Sequence, residues 1–223
     1  MCGRYTVSKG QEVLGEFFGA EFSETHLPIY NASPGQRLPV ILDAEPGKIR
    51  SVLWGIKAQW EGRSARMLIN ARAETVNRLP RFRDCFRQRR CLVFADGFYE
   101  WKATREGRQP YRIALKTEEP FALAGIWQET GGEPAYVILT TDSNAVTRPI
   151  HDRMPVILER REHGPWLDRD LPVPDVLNLL DPYPEGAMRA YEVSRAVNSS
   201  KKDDPDLIEP VSSSTTRSPL LFE

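Results

Sequence analysis

Cysteine at position 2 is the residue whose place in the chain carries the most chemistry. Aminopeptidases remove Met1 when the next residue is small, and the product then bears a free α-amine and a thiol on adjacent carbons. Their reference pKa values, about 7.7–8.0 and about 8.5, leave a useful fraction of each group nucleophilic near neutrality. Such a 1,2-aminothiol condenses with an aldehyde through its amine, and its sulfur then closes a five-membered thiazolidine. An incidental cysteine would occupy the same position, so the groups around it decide.

Three further stretches offer partners. In Cys91–Lys102, CLVFADGFYEWK, Phe98 and Glu100 alternate with Tyr99 and Trp101 on a strand. If Phe98 faces inward, Glu100 is a buried carboxylate with a raised pKa, suited to general acid–base work. The opposite arrangement, with Tyr99 and Trp101 inside, satisfies the alternation equally. His151 lies between Pro149 and Pro155, in an ordered non-helical loop beside Asp152 and Arg153. There it is either a proton shuttle or a surface histidine. Asn70 and Arg72 share one face if Met67–Ile69 continues as a strand, joining an amide to a guanidinium fork that suits a sugar and a phosphate. Trp54, Trp60 and Trp101 are either base-stacking surfaces or core.

The elements that must position these groups are short. Arg4–Val7 reads as a strand, and Ser8 as the N-cap of a helix through Phe18 with Val13, Leu14, Phe17 and Phe18 on one face. Further strands are expected at Leu38–Leu42, Ile49–Trp54, Cys91–Ala95, Phe98–Lys102, Tyr111–Leu115, Phe121–Ile126, Tyr136–Thr140, Val156–Leu158 and Ala190–Val193. Asp96-Gly97 reads as a hairpin turn. Trp166 and Val176–Leu180 belong to two short helices. The expected fold is α+β: a single domain, residues 1–211, with a mostly antiparallel, barrel-like sheet and a few peripheral helices, followed by a polar tail at 212–223.

Composition limits the classes open to the chain. Its 223 residues are 40% apolar and 27% charged, an ordinary globular balance. No run approaches the roughly 18 apolar residues of a membrane helix, and the start lacks a secretory pattern. Cys2, Cys85 and Cys91 are odd in number and without CxxC spacing, which argues against a disulfide framework and a zinc site. A cytoplasmic protein without metal or cofactor is expected. Charges nearly cancel, yet Arg78–Arg90 holds six arginines against Asp84 alone, while Asp203, Asp204, Asp206 and Glu209 gather near the end. By composition the arginine run is a solvated helix face.

Taken together, seven blocks in order resemble the SOS response-associated peptidase (SRAP) family of abasic-site-shielding proteins. They are Cys2–Tyr5, Tyr30–Gly35, Trp54-Gly55, Asn70–Thr75, Ala95–Lys102, His151–Pro155 and Val193–Val197, spread over about residues 2–210. The resemblance implies a covalent trap for abasic sites in single-stranded DNA, with mature Cys2 bonded as a thiazolidine to C1′ of the ring-opened deoxyribose. It implies that Glu100 helps open the furanose and moves protons. His151 would stabilise the oxygen leaving C1′, and Asn70 would orient the Cys2 amine or the sugar. Arg4, Arg72 and Arg153 would contact phosphate, Trp60 and Trp101 would stack, and Thr140 matches a family threonine near the site. Self-cleavage before Cys2, a lyase-like crosslinking activity, a monomeric state and association with the nucleoid on damage belong to the same implication. The chain departs from the family at Ile56–Gln59 and at Glu61, where some members carry a second tryptophan.

Two other classes remain open on the residues alone. Met-Cys-Gly also opens glutamine amidotransferases, in which an N-terminal cysteine attacks an amide. A non-covalent binder of single-stranded DNA would use the same arginines and tryptophans.

Overall fold

The computed structural model describes residues 2–60 and 63–211, with side chains described outside 58–66. The tail expected at 212–223, Glu61 and the side chain of Trp60 therefore lie outside the described residues. Among the described residues, sixteen strands and five short α-helices form one α+β body. The strands are β1 (Tyr5–Val7), β2 (Glu21–Phe22), β3 (Ile29–Ala32), β4 (Arg37–Leu42), β5 (Lys48–Trp54), β6 (Ile56–Trp60), β7 (Arg63–Leu68) and β8 (Asn70–Arg72). They continue with β9 (Arg90–Ala95), β10 (Gly97–Thr104), β11 (Gly107–Leu115), β12 (Phe121–Thr130), β13 (Glu133–Asp142), β14 (Arg153–Pro155), β15 (Ile157–Leu158) and β16 (Met188–Glu192). The helices are α1 (Gln11–Phe18), α2 (Ala73–Val76), α3 (Pro80–Gln88), α4 (His163–Leu167) and α5 (Val173–Leu177).

The core is a closed barrel. Antiparallel pairing runs β13-β12-β9-β4-β5, and the ring shuts by parallel pairing of β5 with β13, Leu53 opposite Ala135 and Trp54 opposite Tyr136. Closure leaves no edge on these strands, so β9 is buried throughout and reads as a continuous apolar run, RCLVFA. Trp54 tilts against Tyr5 and stacks near Tyr136, with ring centroids 5.0 and 6.5 Å apart. Gly55 follows with φ 125°, and a Cβ there would sit 2.5 Å from Met67 Sδ, so only glycine fits this exit from the barrel into the β6–β7 hairpin.

A second, five-stranded antiparallel sheet runs β16-β11-β10-β1-β3. The expected hairpin at Asp96-Gly97 is corrected here. β9 pairs with β12 and β4, whereas β10 pairs with β1 and β11, so the chain crosses between sheets at these residues. Apolar runs on either side of Asp-Gly look alike in a hairpin and in a crossing. What differs is the Asp96 carboxylate: it is buried, ion-paired to buried Arg112 at 3.0 Å, and accepts from Thr6, Ser8 and Lys9.

That carboxylate also moves the start of α1. Ser8 gives its hydroxyl to Asp96 rather than capping the helix, which begins at Gln11 after Gly10. Leu14 points into the core, Phe18 stacks on Phe94 at 3.8 Å, and Val13 is exposed, contrary to its expected place on the buried face. The helix expected at Val176–Leu180 is shifted back to Val173–Leu177, with prolines at its first turn. None of the described helices is long and apolar enough to cross a membrane.

Candidate active site

The N-terminal segment leads into the five-stranded sheet. β1 pairs with β10, Tyr5 opposite Phe98, and the Tyr99 amide donates to the Arg4 carbonyl at 2.9 Å, extending the ladder towards the terminus. This register brings Cys2 beside Glu100. Both are buried, Cys2 completely and Glu100 with 3% exposed. Burial pushes the Cys2 thiol far up, and the Glu100 carboxylate adds to the effect. Burial likewise raises Glu100, against the opposing pull of nearby His151. The inward alternative for Glu100 is the one adopted, and Tyr99 is buried on the other face as well, because Val193, Val197 and Leu207 cover it.

Asn70 arrives from the barrel. It begins β8, which runs parallel to β13 with Asn70 opposite Ile138. Its Nδ2 donates to the Cys2 carbonyl at 2.8 Å, and its Oδ1 is buried with no hydrogen-bond donor among the described residues. An orphaned buried acceptor beside Cys2 is a ready seat for an ammonium or amine N–H.

His151 comes from the β13–β14 loop, an ordered non-helical segment. Asn144 Oδ1 accepts from the amides of Val146 and Thr147 at 3.1 Å each, and the Ile150 and His151 amides both return to the Thr147 carbonyl at 2.9 Å. The Arg153 amide donates to His151 Nδ1 at 3.0 Å, so a neutral ring carries its proton on Nε2. Asp152 Oδ1 lies 2.9 Å from the same Nδ1.

Other expected site residues have different surroundings. Arg153 is buried apart from 8% of its surface. Its fork binds Glu74 at 2.6 and 3.0 Å, Asp142 at 2.7 Å and the Thr140 carbonyl at 2.6 Å. Burial opposes the charge on Glu74, and the Arg153 fork more than offsets it, holding that carboxyl below its ordinary range. Thr140 is fully buried and donates to the Ala71 carbonyl at 3.5 Å. Trp101 gives its indole N–H to Asn198 at 2.7 Å. Arg4, half-buried, donates to Asn31 Oδ1 at 2.8 Å and to the Val197 carbonyl at 3.0 Å. Arg72 is exposed on the same strand as Asn70.

Sequence reasoning missed Glu74, Asn31 and the phenols of Tyr5 and Tyr136. The two phenols are buried and share a hydrogen bond of 2.6 Å. Asn31 binds the carbonyls of Val197, Ser199 and Lys202, so it fastens the late Val193–Val197 block against Arg4. Glu74 and Asn31 stand inside the blocks quoted above, where a polar residue flanking apolar strands was the available signal. Among the described residues no group of three or more His, Cys, Asp or Glu is placed to hold a metal.

The model of the SOS response associated peptidase (SRAP) family matches residues 1–200. The abasic site processing protein YoqW of Bacillus subtilis is 40% identical, over 94% of this chain and 99% of its own. YedK of Escherichia coli, described in the same words, is 28% identical over 95% and 100%. HMCES of Xenopus tropicalis, likewise an abasic site processing protein, is 30% identical over 89% of this chain and 71% of its own. A crystal structure of a protein from Bacteroides thetaiotaomicron superposes with a TM-score of 0.82 at 27% identity, covering 94% of this chain and 99% of that one. With Cys2, Asn70, Glu100 and His151 drawn together by such a framework, the chain belongs to the SOS response associated peptidase family.

Proposed function

We propose that this protein captures abasic sites in single-stranded DNA as a covalent thiazolidine on Cys2, after self-cleavage removes Met1. The support is convergence: a terminal segment, a strand of each sheet and a loop bring Cys2, Glu100, Asn70 and His151 to one place. The relatives' description as abasic site processing proteins supplies the substrate class.

Cleavage hydrolyses the Met1–Cys2 peptide bond, consumes one water and frees the Cys2 amine. Before cleavage the Cys2 nitrogen is an amide, and the residue is fully buried. Glu100, with its raised pKa, moves the C1′ hydroxyl proton to the ring oxygen, which opens the sugar to its aldehyde. The amine, seated on Asn70 Oδ1, adds to C1′, and the oxygen leaves as water with a proton from His151 Nε2 or Glu100. Burial keeps the sulfur as thiol until this stage. Its addition to the imine carbon passes the thiol proton to nitrogen and closes the ring, the net change being loss of one water.

Arg72 and the exposed part of Arg4 are the phosphate contacts, and Trp60 and Trp101 the stacking surfaces. Arg153 and Thr140 act by position: phosphate would have to displace Glu74 and Asp142 from a filled guanidinium fork. Incubation with an abasic-site oligonucleotide yields a band that survives denaturing electrophoresis, and Cys2→Ala abolishes it. An adduct of equal yield from Cys2→Ala would overturn the proposal.

A further inference from the structure

We propose that Arg81, Arg83, Arg87 and Arg89 form a second DNA-contacting surface, which holds the phosphodiester backbone of the strand flanking the reacting nucleotide. This rests on the abasic-site reading for the identity of the polymer. It goes beyond that reading in assigning a task to residues outside the reactive site.

Of the six arginines between 78 and 90, one is buried. Arg90 is buried and donates to the Trp166 carbonyl at 2.6 Å and to the Phe86 and Arg87 carbonyls at 2.8 Å each. The other five are exposed. α3 is anchored by Phe82, Cys85 and Phe86, which leaves the rest of its circumference to solvent.

The charges of the first turn are placed against helix stability. Arg81 and Arg83 occupy the first turn, at the positive end of the helix dipole, a turn whose own residues include no acid. Arg83 and Arg87 are four residues apart, a spacing at which like charges repel. Asp84 answers Arg83 at 2.9 Å, but both side chains are open to water, where such a pair contributes little. Arg89 lies over the Trp127 ring at 5.7 Å, which holds its guanidinium at the surface. The chain as a whole carries a formal charge of −1, so this is a local concentration rather than general basicity.

The surface is continuous in sequence with the reactive site. Arg72 is exposed two residues after Asn70, α2 follows at once, and Arg78 at the α2–α3 junction is tied to the Glu74 carbonyl at 2.8 Å. From there α3 runs about 13 Å at 1.5 Å per residue, with Arg83 and Arg87 one turn apart on one side of its buried stripe and Arg81 on the other. Guanidinium forks match the charge and geometry of phosphate groups.

Salt titration of binding tests the proposal. Full-length protein is titrated with a short and a long single strand, each carrying a tetrahydrofuran analogue that has no aldehyde to capture. On the long strand, each of Arg81→Gln, Arg83→Gln and Arg87→Gln lowers the slope of log affinity against log salt by about 0.7, and the triple variant by about 2. On the short strand the slopes match wild type, and covalent capture of a short abasic oligonucleotide by the triple variant proceeds at the wild-type rate. Unchanged slopes on the long strand, or equal losses on both strands, overturn the assignment. The single variants keep the test independent of whether the triple variant folds. If wild type captures no abasic strand, it is the covalent reading that fails, and the slope on the long strand still decides this one.

Discussion

Burial raises the Glu100 carboxyl above its ordinary range. Its folded pKa lies above the unfolded value, so in the window between them the folded protein binds more protons, and stability falls as pH climbs through the raised value. Glu100→Gln removes that loss. The variant is therefore more stable than wild type at neutral pH, and the two converge below about pH 4.3, the ordinary value for a glutamate. Thermal melts across pH check the sign. The same change slows capture of abasic DNA by roughly 10²-fold or more while affinity for the tetrahydrofuran analogue is kept, as single-turnover rates and binding curves will report. Asn70→Ala removes both the donor to the Cys2 carbonyl and the buried acceptor, and slows capture without weakening DNA binding. These residues were legible because each stands in a block with a definite local pattern. The role of Glu100 required the choice between two strand faces, and alternation alone could not make it, since both faces of β10 are covered at Phe98–Glu100.

The crossing from β9 to β10 and the loop before β14 are the elements that hold those side chains in place. Arg112 and Asp96 form a buried pair at the crossing, with Arg112 also bound to Tyr191 at 2.8 Å. Arg112→Leu leaves the carboxylate buried without its cation and costs about 3–5 kcal/mol of stability by chemical denaturation. At β14, Arg153 ties Glu74 of α2 to Asp142 and to the backbone of β13. Glu74 is held below its ordinary pKa, so its contribution is complete above the unfolded value and disappears as pH falls through the folded one. Glu74→Gln should flatten the acid side of the stability profile and slow capture by loosening the His151 loop. Most strands were legible from apolar runs, and the boundaries that moved did so for particular reasons. Asp96 drew Ser8 away from α1, and Asp-Gly between apolar runs reads as a turn whether the chain folds back or changes sheets.

At the scale of the whole molecule, barrel closure brings Asn70 to Cys2. The closing contact, Trp54 opposite Tyr136, joins residues far apart in sequence by a short parallel pairing, and no local pattern announces it. The expectation of a barrel-like, mostly antiparallel α+β fold holds, but the partition into a closed barrel and a separate five-stranded sheet emerges only from these long-range pairings. The proposed reaction requires a free amine on Cys2, so a chain with one additional uncleavable residue before Cys2 should fold with an unchanged melting profile and capture nothing. The most direct measurement is the intact mass of the protein before and after incubation with an abasic-site oligonucleotide. The account predicts a chain lacking Met1 that gains the mass of one oligonucleotide less one water. A chain that lacks Met1, is folded, and keeps its mass unchanged in the presence of the aldehyde-bearing strand would contradict it.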